Sequence, residues 1–126
     1  MTDIRVLLVD DHRILREGLR SLLERQEGIE VVGEAADGLE AIAKVRELQP
    51  DVVVMDIAMP NMDGLEATAM IKGEHPQVHI LVLTQYEDQH FVLPLLKAGA
   101  SGYLLKHAGR QEVLRGIRNV VEEGAF

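Results

Sequence analysis

Five short apolar runs, separated by helical patterns, constrain the fold of this chain more than any other feature of its sequence. Each run is rich in Val, Ile or Leu and has the length of a buried strand. The runs cover residues 6–9, 29–32, 52–55, 80–83 and 102–105. Between them, apolar residues recur three or four positions apart, as they do in amphipathic helices. This alternation favours right-handed crossovers, a parallel sheet and helices on both of its faces.

The composition is that of one compact domain. The chain has 126 residues, of which 47% are hydrophobic, and this is enough to fill one core. It has no cysteine and no apolar run of eighteen residues, and its N-terminal apolar stretch is too short for a signal peptide. We therefore expect a single domain over residues 1–126, in a cytoplasmic protein without disulfides or a membrane span.

The charge pattern argues against direct contact with nucleic acid. Acidic residues outnumber basic ones by 21 to 13, which gives a formal net charge of -8. The lysines and arginines are scattered, and two Phe, two Tyr and no Trp offer little surface for base stacking. If the biology involves DNA, another domain must contact it.

Polar residues with chemical potential collect at the ends of the predicted strands. Asp10 and Asp11 follow the first run, Asp56 the third, Thr84 the fourth and Lys106 the fifth. Ligands of open parallel sheets bind outside the carboxyl ends of the strands, so these five side chains should converge there. A single Asp at such a position is more often a turn or cap residue, but five convergent groups favour a site.

Three neighbouring carboxylates need positive charge nearby, because two of them about 5 Å apart repel by ~3 kcal/mol at an effective dielectric of about 20. Lys106 supplies one charge, and we expect Mg²⁺ to supply the rest, with the backbone carbonyl of Ala58 as a further ligand. The sequence has no calcium-binding loop, and its five histidines occur singly. We expect those histidines at the surface. A carboxylate that faces a metal and a lysine can attack phosphorus, which makes Asp56 the candidate nucleophile.

Four motifs in order, LLVDDH, VVVMDIAMPNMDG, ILVLT and GYLLK, resemble the receiver domains of two-component response regulators. The resemblance covers essentially the whole chain and implies a flavodoxin-like (βα)5 three-layer sandwich with strand order 2-1-3-4-5. It further implies that Asp10 and Asp11 bind Mg²⁺ and that Asp56 accepts a phosphoryl group from a sensor histidine kinase.

The same resemblance implies a switch. Thr84 and Lys106 would sense the phosphoryl group, and Tyr103 matches the switch aromatic residue. The signal would reach the surface of helix 4, strand 5 and helix 5 and control dimerisation. The domain would transfer and hydrolyse its own phosphoryl group without turning over a free substrate, so we do not class it as an enzyme.

The segments VDDHRILREGLRSLL, MPNMDGLEAT and LKAGASGYLLK resemble the NarL or LuxR class more specifically. Members of that class usually carry a C-terminal helix-turn-helix domain. We therefore expect this sequence to be the N-terminal part of a longer transcriptional regulator, whose DNA binding belongs to a domain outside these 126 residues.

Three positions depart from the wider receiver pattern. His107 follows Lys106 where proline with a cis bond is common, and a cis bond before a non-proline residue would cost about 3 to 4 kcal/mol, so we expect trans. Gln85 replaces a small residue after Thr84 and is expected to narrow access to Asp56. Pro94 lies inside the expected fourth helix, which it should kink or shorten and make mobile.

Three alternatives stand beside the receiver interpretation. A flavin site needs a phosphate-cradling loop after the first strand, where this chain has DDHR. A haloacid-dehalogenase-type phosphatase needs two Asp residues that flank one other residue, and here His12 stands in the second position. A phosphorylation-independent pseudo-receiver that acts as an interaction module is the strongest of the three, although it does not need the full Asp, Thr and Lys set.

Overall fold

Five strands alternate with five helices in the part of the chain that the computed structural model describes, residues 3–85 and 90–125. Each of the five apolar runs of the sequence lies in a strand, which confirms the predicted alternation. The elements are β1 Ile4–Val9, α1 Arg13–Glu24, β2 Ile29–Ala35, α2 Gly38–Leu48, β3 Val52–Asp56, α3 Gly64–Glu74, β4 His79–Thr84, α4 Val92–Lys97, β5 Gly102–Leu105 and α5 Arg110–Glu123.

The strands form one parallel sheet in the order β2-β1-β3-β4-β5. This is the predicted order, in which the chain reverses direction across the sheet between β1 and β3. All five residues of β3 are buried, as is typical of an interior strand covered on both faces. The carboxyl ends of β1 and β3 therefore meet at the position where parallel sheets bind ligands.

Two apolar layers, one on each face of the sheet, hold the fold together. Alternate residues of β1 separate between them, because successive side chains of a strand point to opposite faces. Leu7 and Val9 pack with α2, α3 and α4, whereas Val6 and Leu8 pack with α1 and α5. This arrangement is the predicted three-layer sandwich.

The apolar stripe of α1 is only partly used by this core. Leu23 is buried and Leu19 and Leu22 are half-buried, but Ile14 is 86% exposed and Leu15 45% exposed. The apolar spacing of α1 therefore extends beyond the part of the helix that packs into the core. The helix begins close to the carboxyl end of β1, so that turn lies beside the polar edge of the sheet instead of its apolar interior.

The fourth helix is short, as Pro94 predicts. It has six residues, and Pro94 is the third of them. N–H groups in the first turn of a helix have no acceptor within that helix. Proline has no N–H group, so at this position it removes no helical hydrogen bond and does not break the element. The predicted mobility of this helix stays a prediction. The described residues contain no cis peptide bond, and the Lys106–His107 bond is trans as expected.

Within the described ranges we find no helix that is both long and apolar enough to cross a membrane.

Candidate functional site

The side chains that the sequence singles out lie at the carboxyl edge of the sheet. Asp10 directly follows β1 and Lys106 directly follows β5, whereas Asp56 and Thr84 are the last residues of β3 and β4. The prediction that the site follows the strands is thus correct to within one residue. The fold brings these positions together from four different strands, because parallel strands end at the same edge.

Lys106 is the cation at the centre of the site. Its Nζ donates a hydrogen bond to Asp56 Oδ2 at 2.9 Å and lies 3.3 Å from Asp10 Oδ2. The lysine side chain is 9% exposed and that of Asp56 2% exposed, so the pair is shielded from water. Charge-assisted hydrogen bonds in such surroundings are stronger than the same bonds in water.

Burial dominates the electrostatics of Asp56. Removal from water raises the pKa of Asp56 above its usual range, and the charge of Asp10 raises it further. The hydrogen bond and charge of Lys106 lower the pKa only part of the way back. For Lys106, desolvation alone would lower the pKa, but the hydrogen bond and charge of Asp56 outweigh it and leave the pKa of Lys106 raised.

Four residues at this edge have the chemistry of a metal site. Carboxylate oxygens of Asp10, Asp11 and Asp56 and a ring nitrogen of His12 all lie within 4.8 Å of one another. Asp10 and Asp56 are buried, whereas Asp11 and His12 are exposed and face solvent. A hard divalent cation with water on its open side fits such a donor set.

His12 is exposed, as expected, but sequence reasoning missed its contacts with the acidic cluster. Its Nδ1 lies 3.0 Å from Asp10 Oδ1, 3.4 Å from Asp11 Oδ1 and 4.0 Å from Asp56 Oδ2. Its backbone N–H also donates to Asp10 Oδ1 at 2.8 Å, and His12 is the residue directly before α1. The signal was its position directly after the acidic pair. The surface expectation is wrong for His75 and His79, which are half-buried.

Two expected participants do not contact the carboxylates. The Thr84 hydroxyl is fully buried and donates a long hydrogen bond of 3.4 Å to the Leu104 carbonyl of β5. Tyr103, one residue earlier on β5, is 40% exposed. Their roles as sensor and switch residues stay predictions, and so does the effect of the half-buried Gln85 on access.

The loop after β3 is held by close backbone contacts. Gly64 N donates to Ile57 O at 2.7 Å, and a Cβ added to Gly64 would lie 2.3 Å from the Asp56 carbonyl oxygen. Ala58 is exposed at the tip, and within residues 3–85 and 90–125 we find no hydrogen bond to its carbonyl oxygen. The role of that carbonyl as a metal ligand stays a prediction.

A second set of contacts ties the far end of this loop to the start of α2. Gly38 N donates to Met62 O at 3.0 Å, and Asn61 Nδ2 donates to Asp37 Oδ2 at 2.7 Å. Asn61 has φ of 67°, a left-handed conformation that Asn tolerates better than most residues. Sequence reasoning did not find these contacts, which join the loop to the start of α2.

Residues 6–118 match the family of response regulator receiver domains. This chain belongs to that family. It is 46% identical over 117 residues to the response regulator GacA of Pseudomonas viridiflava, a match that covers 93% of this chain and 55% of GacA. The chain thus spans about half the length of the curated relatives it matches.

Solved structures give the same assignment and support the NarL or LuxR class. The signal receiver domain of NarL from Mycobacterium tuberculosis superposes with a TM-score of 0.92 at 31% identity, over 98% of this chain and 99% of that one. A two-component response regulator of the LuxR family from Aurantimonas superposes with a TM-score of 0.91 at 42% identity, over 98% and 88%. The flavodoxin-like receiver fold is therefore confirmed.

Proposed function

We propose that Asp56 accepts a phosphoryl group from a partner histidine kinase, with Mg²⁺ bound beside it. The observation that carries this proposal is the position of the Lys106 ammonium, 2.9 Å from Asp56 Oδ2 at the carboxyl end of the central strand, with two further carboxylates close by. A buried carboxylate held by a lysine at a ligand-binding edge is a costly arrangement that stability alone does not favour.

In the phosphoryl transfer, Asp56 is the nucleophile and Lys106 stabilises the charge that develops. A carboxylate oxygen of Asp56 attacks phosphorus, the P–N bond of the kinase phosphohistidine breaks, and the imidazole leaves with the electron pair of that bond. The product is an acyl phosphate on Asp56. Lys106 lies beside the oxygen that reacts and offsets negative charge as it moves onto the phosphoryl oxygens.

The donor set fits Mg²⁺. Asp10, Asp11 and Asp56 offer carboxylate oxygens within one cluster, and the Ala58 carbonyl is available on the adjacent loop. When bound, the ion would neutralise charge on the transferring phosphoryl group. Within residues 3–85 and 90–125, Lys106 provides the only positive charge that hydrogen-bonds Asp56. One ammonium does not balance the negative charge of three carboxylates, and a divalent cation would balance the remainder.

The switch begins at Thr84 in this proposal. Its 3.4 Å hydrogen bond to the Leu104 carbonyl is long and therefore weak. Little free energy is lost when the hydroxyl rotates toward a phosphoryl oxygen instead. The turn would release that contact with β5 and leave space for Tyr103. A population shift at the surface of α4, β5 and α5 would follow and control homodimerisation.

The parent protein would be a transcriptional regulator that binds DNA through a further, helix-turn-helix domain. The chain itself covers about half the length of its relatives, which supports this organisation.

Dimerisation is tested by sedimentation velocity with and without acetyl phosphate. A sedimentation coefficient that stays that of a monomer in both conditions would rule out phosphorylation-driven association of the receiver domain alone.

Intact-mass analysis after incubation with Mg²⁺ and acetyl phosphate tests the phosphoacceptor. We expect one added phosphoryl group on the parent chain and none on Asp56→Asn. Asp3→Asn is the matched control, because Asp3 is exposed and lies outside the cluster. It should be modified like the parent. Absence of modification on a folded parent chain, with a second phosphodonor also tried, would favour the pseudo-receiver interaction module.

A further inference from the structure

The imidazole of His12 faces the same space as the three carboxylates, and this placement has no role in the phosphoryl transfer described above. Its Nδ1 is 3.0 Å from Asp10 Oδ1 and 3.4 Å from Asp11 Oδ1, and 4.0 Å from Asp56 Oδ2. The other members of the cluster offer only oxygen atoms, so His12 is the one nitrogen donor that the described residues contribute to it.

These separations are short enough for the nitrogen and the carboxylate oxygens to share one ion. Two ligand bonds of about 2.1 Å allow at most ~4.2 Å between atoms that bind the same ion. All three distances from His12 Nδ1 lie within that limit. The His12 side chain makes no capping hydrogen bond to α1, so capping does not explain its approach to Asp11 and Asp56.

The ammonium of Lys106 shows that this space accommodates positive charge. Its Nζ is 3.3 Å from His12 Nδ1, besides its contacts to the carboxylates of Asp56 and Asp10. Nδ1 cannot donate a proton to Asp10 and accept one from Lys106 at the same time. A bound cation would take the nitrogen lone pair and the carboxylate oxygens together, and would replace the 3.3 Å contact between Lys106 Nζ and His12 Nδ1.

The geometry points to His12 as a nitrogen ligand of the divalent cation, which gives this receiver domain an affinity for borderline ions such as Co²⁺ above that of an all-oxygen site. The inference rests on the proposed metal site and extends it by naming the class of ion. Imidazole favours later first-row ions over Mg²⁺, whereas carboxylate and carbonyl ligands suit Mg²⁺.

Titration calorimetry with Mg²⁺ and with Co²⁺, on protein without a histidine tag, tests the selectivity. His12→Asn is the informative variant, because Asn is a favourable residue at a helix start and preserves α1. We expect the ratio of Co²⁺ to Mg²⁺ affinity to fall at least about tenfold in this variant. His107→Asn is the control, since His107 is exposed and outside the cluster, and its ratio should equal that of the parent.

Pulsed electron paramagnetic resonance of the Mn²⁺ complex provides a direct readout. With ¹⁵N placed only in histidine rings, the parent and His107→Asn should show ¹⁵N modulation that His12→Asn lacks. An unchanged affinity ratio, an equal loss for both ions or an absent ¹⁵N signal would overturn the inference and leave His12 as a hydrogen-bond partner of Asp10.

Failure of the inference is distinguishable from failure of the proposed function. A ¹⁵N signal without phosphoryl addition at Asp56 would support the ligand and refute the phosphoacceptor. Phosphoryl addition without a ¹⁵N signal would refute the ligand alone. A parent chain that binds no divalent ion would refute both the His12 inference and the proposed metal site.

Discussion

The role of Lys106 as counter-ion can be measured by its removal in Lys106→Met, which keeps the side-chain length and removes the charge. Asp56 is 2% exposed at its side chain, so in this variant its carboxylate would be buried without the partner 2.9 Å away. Removing one member of a buried ion pair costs about 3 to 5 kcal/mol. Asp11 and His12 keep this edge open to water, so we expect a loss near the lower end, about 3 kcal/mol.

Urea unfolding followed by circular dichroism gives the free energy of unfolding for this test. A loss of about 3 kcal/mol corresponds to a melting temperature lower by about 12 °C in a domain of this length. Asp56→Asn should change stability by less than about 1 kcal/mol, because Lys106 keeps Asp10 at 3.3 Å. The double variant should lose about 1 kcal/mol, which corresponds to a coupling of about 2 to 3 kcal/mol between the two residues.

The pH dependence has a definite sign. Burial already raises the pKa of Asp56, and loss of the lysine charge raises the pKa further. The folded variant therefore binds a proton more readily than the unfolded chain. Its loss of unfolding free energy, relative to the parent, should shrink as pH falls toward the pKa that Asp56 has in the folded variant. Saturating Mg²⁺ should shrink the deficit too. A deficit independent of pH, or losses that simply add in the double variant, would refute the electrostatic explanation.

Two further substitutions test the support of the site. Gly64→Ala places a Cβ 2.3 Å from the Asp56 carbonyl oxygen, so it should cost at least about 2 kcal/mol in urea unfolding and slow phosphoryl addition. Gly73→Ala, in the same helix but in open space, should instead stabilise by about 0.5 to 1 kcal/mol. Asp37→Ala should lose about 1 kcal/mol of unfolding free energy, because Asp37 caps α2, and an unchanged urea midpoint would contradict this. The hydrogen bond from the Glu40 backbone lowers the pKa of Asp37 most, and its other hydrogen bonds lower it further. The difference in unfolding free energy between Asp37→Ala and the parent should therefore vanish as pH falls through that pKa.

The parts of the fold that follow from local pattern could be predicted from the sequence. A run such as residues 52–55 is apolar at every position, and this indicates a strand covered on both faces. Once the runs are parallel, Asp10, Asp56 and Lys106 must lie at one edge, because each stands at the end of its strand. Three-dimensional proximity then follows from order along the chain.

The parts that depend on side-chain direction could not be predicted. Whether the Thr84 hydroxyl meets a carboxylate or the Leu104 carbonyl is decided by one rotamer and by the neighbouring strand. His12 was not predicted because the sequence signal of a metal-binding histidine is a spaced pair of histidines. His12 instead directly follows an acidic pair. The exposed first turn of α1 has the same apolar spacing as its buried last turn, so spacing cannot tell them apart.

Strand register has a practical consequence for handling this protein. Asp56 pairs with Leu83 and Thr84 pairs with Leu105 across parallel strands. A slip of two residues keeps each apolar face but moves a strand end by about 6.6 Å, well beyond hydrogen-bond reach. Misassembled molecules could thus retain helical and sheet signals in circular dichroism and still lack a complete acceptor. The fraction of a preparation that takes up a phosphoryl group would therefore count correctly assembled molecules, a quality measure that spectroscopy of secondary structure does not provide.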